Sequence, residues 1–493
     1  MRIGFDNNKY IELQAQHIRA RIEQFGGKLY LEFGGKLFDD YHAARVLPGF
    51  APDAKIRMLQ SMADEVEILI AISANDIEKN KRRGDLGITY DEELLRLMDA
   101  FRGMGFYVGS VVVTQYSGQP GADAFVKRLD SLGVRCYRHY PIAGYPYDID
   151  HIVSDEGYGR NEFVETTRPL VVVTAPGPGS GKMATCLSQL YHEHKRGVTA
   201  GYAKYETFPV WNLPIEHPVN IAYEAATVDL NDANIIDPYH FNAYGEIAVN
   251  YNRDVDIFPV LKAMMERIVG KSPYQSPTDM GVNMAGLAIV DDEAVCDAAK
   301  AEIVRRYFQT AVEQKRTGAG EEEVRTLERL MKQAGVTMDF SPARAAALEK
   351  EEQTGAPAGA MVLHDGTVVT GRTSRRLGAA SSLLLNALKQ VAGIAEETYI
   401  ISDENIDPIC RLKTEHLHSK NPRLHSDEML IALSQSSAAS PLAAQAVDCL
   451  KQLRGCDAYF SVIVSSADEK LYRTLGINVC CEPKFERRGY YHK

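Results

Sequence analysis

The sequence predicts a multi-domain α/β protein: a wound, largely parallel sheet body, a helical segment, and a smaller C-terminal α/β domain. Strand-like and helix-like stretches alternate through the first third of the chain, the signature of β–α–β winding. Continuous apolar runs such as Val111-Val112-Val113 mark strands covered on both faces, as in parallel sheets. At 493 residues the chain also exceeds what one hydrophobic core organises, so two or three domains are expected.

Taken in order, residues 7–25 carry Ile11, Ala15, Ile18 and Ile22 at helical spacing. Lys28 to Phe33 reads as a strand stopped by Gly34-Gly35. Further strands are expected at 67–72, 106–114, 134–137 and 170–174, with helices near 53–63, 89–103 and 120–132. Residues 201–283, rich in Tyr, Asn, Asp and Pro, read as a loop-rich substrate region on the body, which spans 1–290. Residues 291–355 read as a charged helical connector or oligomer arm. Apolar positions such as Ile303, Val304 and Phe308 there would face a second copy, so a homo-oligomer is expected. The C-terminal domain, 356–493, opens with a hairpin around His364-Asp365-Gly366 and continues with a helix at 377–392. A strand at 398–401, a helix at 441–453 capped by Ser440-Pro441, and strands at 460–464 and 477–480 follow.

A formal net charge of −11 opposes a nucleic-acid partner, because a backbone-tracking surface needs a basic stripe. Eight cysteines without a C-x-x-C pair read as reduced thiols. No apolar run reaches bilayer-spanning length and the N-terminal residues lack a signal-peptide core, so a soluble, cytoplasmic protein with no membrane partner is expected.

The chemistry concentrates in one loop. Leu170 to Thr174 is an apolar strand, Ala175-Pro176-Gly177-Pro178-Gly179-Ser180-Gly181-Lys182 follows, and Met183 to His192 reads as a helix. Strand, glycine-rich turn, lysine and helix together gather N–H groups and positive charge about an anion. The loop departs from a nucleotide-binding P-loop twice. Pro176 stands where the first glycine belongs, and Met183 stands where a magnesium-binding hydroxyl belongs. The candidate ligand-binding residues are Gly177, Gly179, Ser180, Gly181, Lys182 and Thr185, with Ser180 or Thr185 as substitute metal-binding hydroxyls. The structural alternative is a turn that only packs strand against helix.

Candidate partner acids are Asp291, after the apolar run 287–290, and Asp232; Asp291 equally suits a helix N-cap. Asp229, Asp237 and His240 form a further polar cluster of metal-binding or turn-forming character. Lys204, Tyr205 and Glu206 lie where an acceptor substrate would sit.

With Tyr223-Glu224-Ala225-Ala226-Thr227, Ser276-Pro277-Thr278-Asp279-Met280-Gly281-Val282-Asn283 and Leu377-Gly378-Ala379-Ala380-Ser381-Ser382, the chain resembles an uncharacterised bacterial family, catalogued as a conserved domain of unknown function. The resemblance covers essentially the whole length. It implies an α/β body, a helical segment and a C-terminal three-layer domain similar in topology to cytidine deaminases. It carries no catalytic residues. Cys480-Cys481-Glu482-Pro483 and His364-Asp365-Gly366 lack the zinc-ligand spacing of those enzymes, so no catalytic zinc is expected.

The function expected is that of an enzyme using ATP, with Mg, or another phosphate compound on a small polar metabolite, of transferase, kinase-like or ligase-like type. Lys182 would neutralise phosphate charge, and Asp232 or Asp291 would hold the metal. The alternatives are an enzyme on a phosphorylated metabolite with no nucleotide, and a nucleotide-binding scaffold without turnover.

Overall fold

The computed structural model describes residues 2–34, 37–38, 40–83 and 87–486. Two compact units divide the chain, one from Arg2 to Ala299 and one from Lys300 onward.

The first unit is built on β1 (Leu29–Phe33), β2 (Val66–Ser73), β3 (Tyr107–Thr114), β4 (Arg135–Arg138), β5 (Leu170–Thr174), β6 (Gly201–Tyr205), a separate antiparallel pair β7 (Asn234–Ile236) and β8 (Val249–Tyr251), and β9 (Gly281–Val282). Seven of these form one sheet in the order β4-β3-β2-β5-β1-β6-β9, every neighbouring pair parallel. All eight residues of β2 and all five of β5 are buried, which is why the stretches 68–72 and 170–173 read as unbroken apolar runs. Helix Asn7–Gln24 buries Ala15, Ile18 and Ile22 as its spacing requires, with Asp6 capping its first turn. Gly35, expected to help end β1, lies outside the described residues.

Two segments depart from expectation. Residues 201–283 are not mainly loop: they contain the strand pair β7–β8 and the helix Asn252–Val269. Val255, Phe258, Leu261, Met265 and Ile268 give that helix a buried stripe, and Pro259 lies within it without ending it. Residues 287–290 are not a strand either. A short 3-10 turn, Ala285–Ala288, occupies the start of that run. Ile289 pairs there with Phe5 in an isolated antiparallel bridge.

The second unit centres on a four-stranded sheet of β10 (Ala358–Val362), β11 (Val368–Arg372), β12 (Asp457–Phe460) and β13 (Asn478–Cys481), ordered β11-β10-β12-β13. β10 is antiparallel to both neighbours, and β12 and β13 are parallel. Successive residues on β12 face opposite sides. Tyr459 meets Phe308 edge-on at 5.0 Å and donates to Glu482, which also pairs with Arg344 of helix Pro342–Thr354. Phe460 turns the other way, to Tyr472 of helix Ser466–Leu475. The sheet therefore carries helices on both faces, a three-layer arrangement. Gly371 of β11 permits one close approach, since a Cβ there would lie 2.3 Å from the Leu383 backbone nitrogen.

The helices set apart in the sequence as a connector fall within this unit from Lys300 onward. Ile303, Val304 and Phe308, expected to be free for a second copy, are buried inside the chain itself. Phe308 is already spent against Tyr459, so these positions offer no apolar face to another copy. The expected strand at 398–401 is irregular backbone, and the one at 460–464 is displaced toward the N-terminus, running from Asp457 to Phe460.

Ile70 is fully buried in the middle of β2. Truncation to alanine leaves a cavity the flanking strands cannot close. Ile70→Ala is expected to lower stability by about 2–5 kcal/mol, read from denaturant unfolding.

Candidate functional site at the carboxyl edge of the sheet

The winding of the sheet selects the edge where a ligand can enter. The chain leaves β2 toward β3 and the β4 side, whereas it leaves β5 in the opposite sense, past β1 to β6. Adjacent strands whose exits diverge open a crevice at their carboxyl ends, the usual ligand position in open α/β sheets. The glycine-rich loop follows β5 at that point.

Its geometry is set by three glycines. Gly179 and Gly181 have φ of +75° and +82°, a left-handed region that favours glycine. A Cβ at Gly177 would lie 2.3 Å from the Tyr90 hydroxyl. The hydroxyl of Thr114, at the end of β3, donates to the Ser180 carbonyl at 2.9 Å and ties the loop down. Helix Lys182–Lys195 then begins without any side-chain cap. Among the described residues the N–H groups of Gly181, Lys182, Met183 and Ala184 have no acceptor, and the Lys182 ammonium makes no hydrogen bond or ion pair. These are the orphan donors of a helix start, gathered with a lysine at a crevice.

The hydroxyls expected to bind metal are placed otherwise. Ser180 and Thr185 are fully buried. Ser180 donates to the Gly177 carbonyl at 2.8 Å, and Thr185 to the Gly181 carbonyl at 2.9 Å. Both brace the loop instead of facing its mouth. The candidate acids are also committed. Asp291 caps the helix that follows, accepting from the Ala294 N–H at 3.2 Å, and pairs with Arg2. Asp232 pairs with Arg253 at 2.6 Å. Asp237 caps helix Pro238–Tyr244 and accepts from the Thr278 hydroxyl at 2.7 Å, while His240 Nδ1 meets the Ser276 hydroxyl at 3.0 Å. The two sequence motifs thereby latch to each other, a structural use of their polar groups.

What the sequence named only in passing becomes the densest charged cluster of this edge. Glu32 of β1 and Lys204 of β6 are register partners on neighbouring strands and face the same side. Lys204 Nζ lies 3.1 Å from Glu206 and also pairs with Asp254, in the first turn of helix Asn252–Val269. Its ammonium sits 5.0 Å above the Tyr251 ring, and Tyr251 stacks on Tyr223. Glu32 accepts from the Tyr202 hydroxyl at 2.7 Å. Three carboxyl groups thus surround one ammonium. Burial, and then the Asp254 charge, push the Glu206 carboxyl up to about 8, against the pull of Lys204. Burial works against the Lys204 ammonium, yet Asp254, Glu206 and Glu32 together hold its pKa above the ordinary value. The buried Cys186 thiol, raised by burial, feels both Glu32 and Lys182, which places the loop lysine in the same electrostatic neighbourhood.

One metal-like set occurs elsewhere in this unit: ligand atoms of His217, Asp292 and Cys296 lie within 4.8 Å of one another. His217 Nδ1 accepts the Val219 N–H at 3.2 Å, so its Nε2 carries the proton and donates to Asp292 at 3.1 Å. The lone pair a metal needs is not presented there. Among the described residues no helix is long and apolar enough to cross a membrane, and all eight cysteines are free thiols.

Residues 3–335 match the family described as domain of unknown function DUF1846, N-terminal, and residues 339–491 match its C-terminal counterpart. A UPF0371 protein of Corynebacterium diphtheriae is 59% identical across 100% of this chain and 99% of its own length. One of Corynebacterium efficiens is 57% identical over 100% of both chains, and one of Streptococcus pneumoniae serotype 19F is 54% identical over 99% of each.

The raised Glu206 carboxyl has a consequence for stability. The folded chain holds this proton more tightly than the unfolded chain, so the stabilisation it gives is complete below about pH 4.5 and lost as pH rises through about 8. Glu206→Gln removes that titration. The unfolding temperature of the variant is therefore expected to improve relative to the parent as pH is raised across this window, measured by circular dichroism.

Proposed function

The chain belongs to the DUF1846 family of unknown function, and on that footing we propose that it is an enzyme acting on a small phosphorylated metabolite, with no nucleotide required. The observation that carries the reading is the set of unpartnered donors, the N–H groups of Gly181 to Ala184 and the Lys182 ammonium, at the point where β2 and β5 diverge. A phosphate there accepts the helix-start N–H groups and takes its counter-charge from Lys182. The Lys204, Glu206, Asp254 and Glu32 cluster on the same edge supplies polar groups for the remainder of the molecule.

A magnesium–nucleotide site fits these residues less well. Met183 follows the lysine, Ser180 and Thr185 brace the loop, and Asp232 and Asp291 are held by arginines. A magnesium ion bound beside a triphosphate relies on such hydroxyl and carboxylate ligands. The metabolite's own phosphate needs none of them.

Calorimetric titration of the purified protein with inorganic phosphate, sugar phosphates and ATP, with and without Mg²⁺, tests this. Lys182→Ala removes one charge-assisted contact, typically worth about 1.5–3 kcal/mol, so phosphate affinity is expected to fall roughly tenfold to a hundredfold. Unfolding temperature should change little, because among the described residues the Lys182 ammonium makes no hydrogen bond or ion pair. Unaltered phosphate binding in Lys182→Ala would falsify the reading. ATP binding that requires Mg²⁺, and strengthens in Met183→Ser, would favour the nucleotide enzyme instead.

A further inference from the structure

The group of charges around Lys204 does not balance. Glu32, Glu206 and Asp254 face a single ammonium on the carboxyl edge of β1 and β6. The second nearby cation, Arg253, is engaged by Asp232, and Lys182 stands at the loop. The side chains of Lys204 and Asp254 are 15% exposed and that of Glu206 8%, so little water screens the excess negative charge. Two neighbouring carboxyl groups in such surroundings do not both ionise. One of them keeps a proton.

The contacts identify which one. Asp254 closes on Lys204 directly, and Glu32 has the Tyr202 hydroxyl as a donor. Glu206 is the most enclosed of the three. Its carboxyl lies over Gly281, where a Cβ would come within 2.8 Å of Oε2, and it hydrogen-bonds to Asp254. The charged and titratable groups facing it are Lys204 near the end of β6, two residues before it, Asp254 from helix Asn252–Val269, Tyr251 at the end of β8, and Tyr223 from helix Pro218–Ala226. Burial holds both tyrosine hydroxyls neutral, with Tyr223 raised to about 12.

We propose that Glu206 is the acid–base group of this site: a neutral carboxylic acid paired with Asp254, which gives its proton to a hydroxyl or carbonyl oxygen of the ligand and takes it back, while Lys204 stabilises the carboxylate left behind. The proton moves from the Glu206 oxygen to the ligand oxygen and returns, with no covalent bond to the chain and no change of oxidation state. Lys204 acts as a fixed cation, not a nucleophile, because the surrounding carboxylates keep it charged. The ligand class that fits both halves of the edge is a phosphorylated hydroxy or oxo compound. The inference rests on the loop reading above for the position of the phosphate, but not for the proton on Glu206.

Infrared titration of the full chain separates the two. The wild-type protein should show a buried protonated-carboxyl band at neutral pH that disappears as pH rises through about 8. The band should be missing from Glu206→Gln. In Asp254→Asn it should titrate at lower pH, since the Asp254 charge is one of the forces holding the proton in place. A wild-type protein with no such band at neutral pH overturns the proposal even if Glu206→Gln fails to fold. A band that survives in folded Glu206→Gln overturns it as well. Calorimetry with inorganic phosphate on Lys182→Ala reports on the loop independently: unchanged binding there defeats the phosphate reading alone, while loss of binding in a variant that keeps the band supports both.

Discussion

The constraint on which the first unit depends is the burial of an all-parallel sheet on both faces. Its central strands have no polar face to offer water, so helices must cover them on either side. That leaves the strand ends as the places where polar chemistry is exposed. The winding then distinguishes one position on the carboxyl edge, where exits from β2 and β5 run in opposite senses. The loop of Gly177 to Lys182, the Thr114 tether and the Glu32–Lys204 register pair all lie at this edge because their strands end there.

Within that edge, two polar systems differ in how far they are satisfied. The loop is rigid through internal bonds. Thr114, Ser180 and Thr185 each donate to a loop carbonyl, and two glycines hold left-handed backbone. Its carbonyls are thus used internally while its helix-start N–H groups face outward without partners. Position 181 takes glycine because its φ is +82° and a Cβ there would lie 3.0 Å from the Thr114 side chain, so no side-chain cap can be supplied from it. Gly181 leaves the donors open.

The Lys204 cluster is over-supplied with acid. Buried ion pairs add little net stability when desolvation is counted, and an excess carboxyl costs more. A purely structural site would be expected to balance its charges, as Lys28 with Glu193 and Lys55 with Asp40 do elsewhere in the unit. The imbalance at Lys204 is retained on the carboxyl edge of β1 and β6, the next two strands along the sheet from β5, and perturbed protonation of this kind gathers at functional sites.

The sequence by itself determined the sheet class, most strands and helices, and the loop, because each is written in local spacing: apolar runs for buried strands, three-to-four periodicity for helices, glycines where the backbone turns left-handed. It also pointed to Lys204 and Glu206, but only by their nearness to the loop. Tertiary structure decided the rest. Asp232 and Asp291 looked like metal ligands until Arg253 and Arg2, distant from the loop in the sequence, were seen to hold them. Ile303, Val304 and Phe308 looked available to a second copy until Tyr459 was seen to cover Phe308. The association of Glu32, Lys204, Glu206 and Asp254 depends on strand order and register across more than 200 residues. Local spacing records which face a residue takes, but long-range pairing alone decides which charges share a buried space, and so which of them keeps its proton.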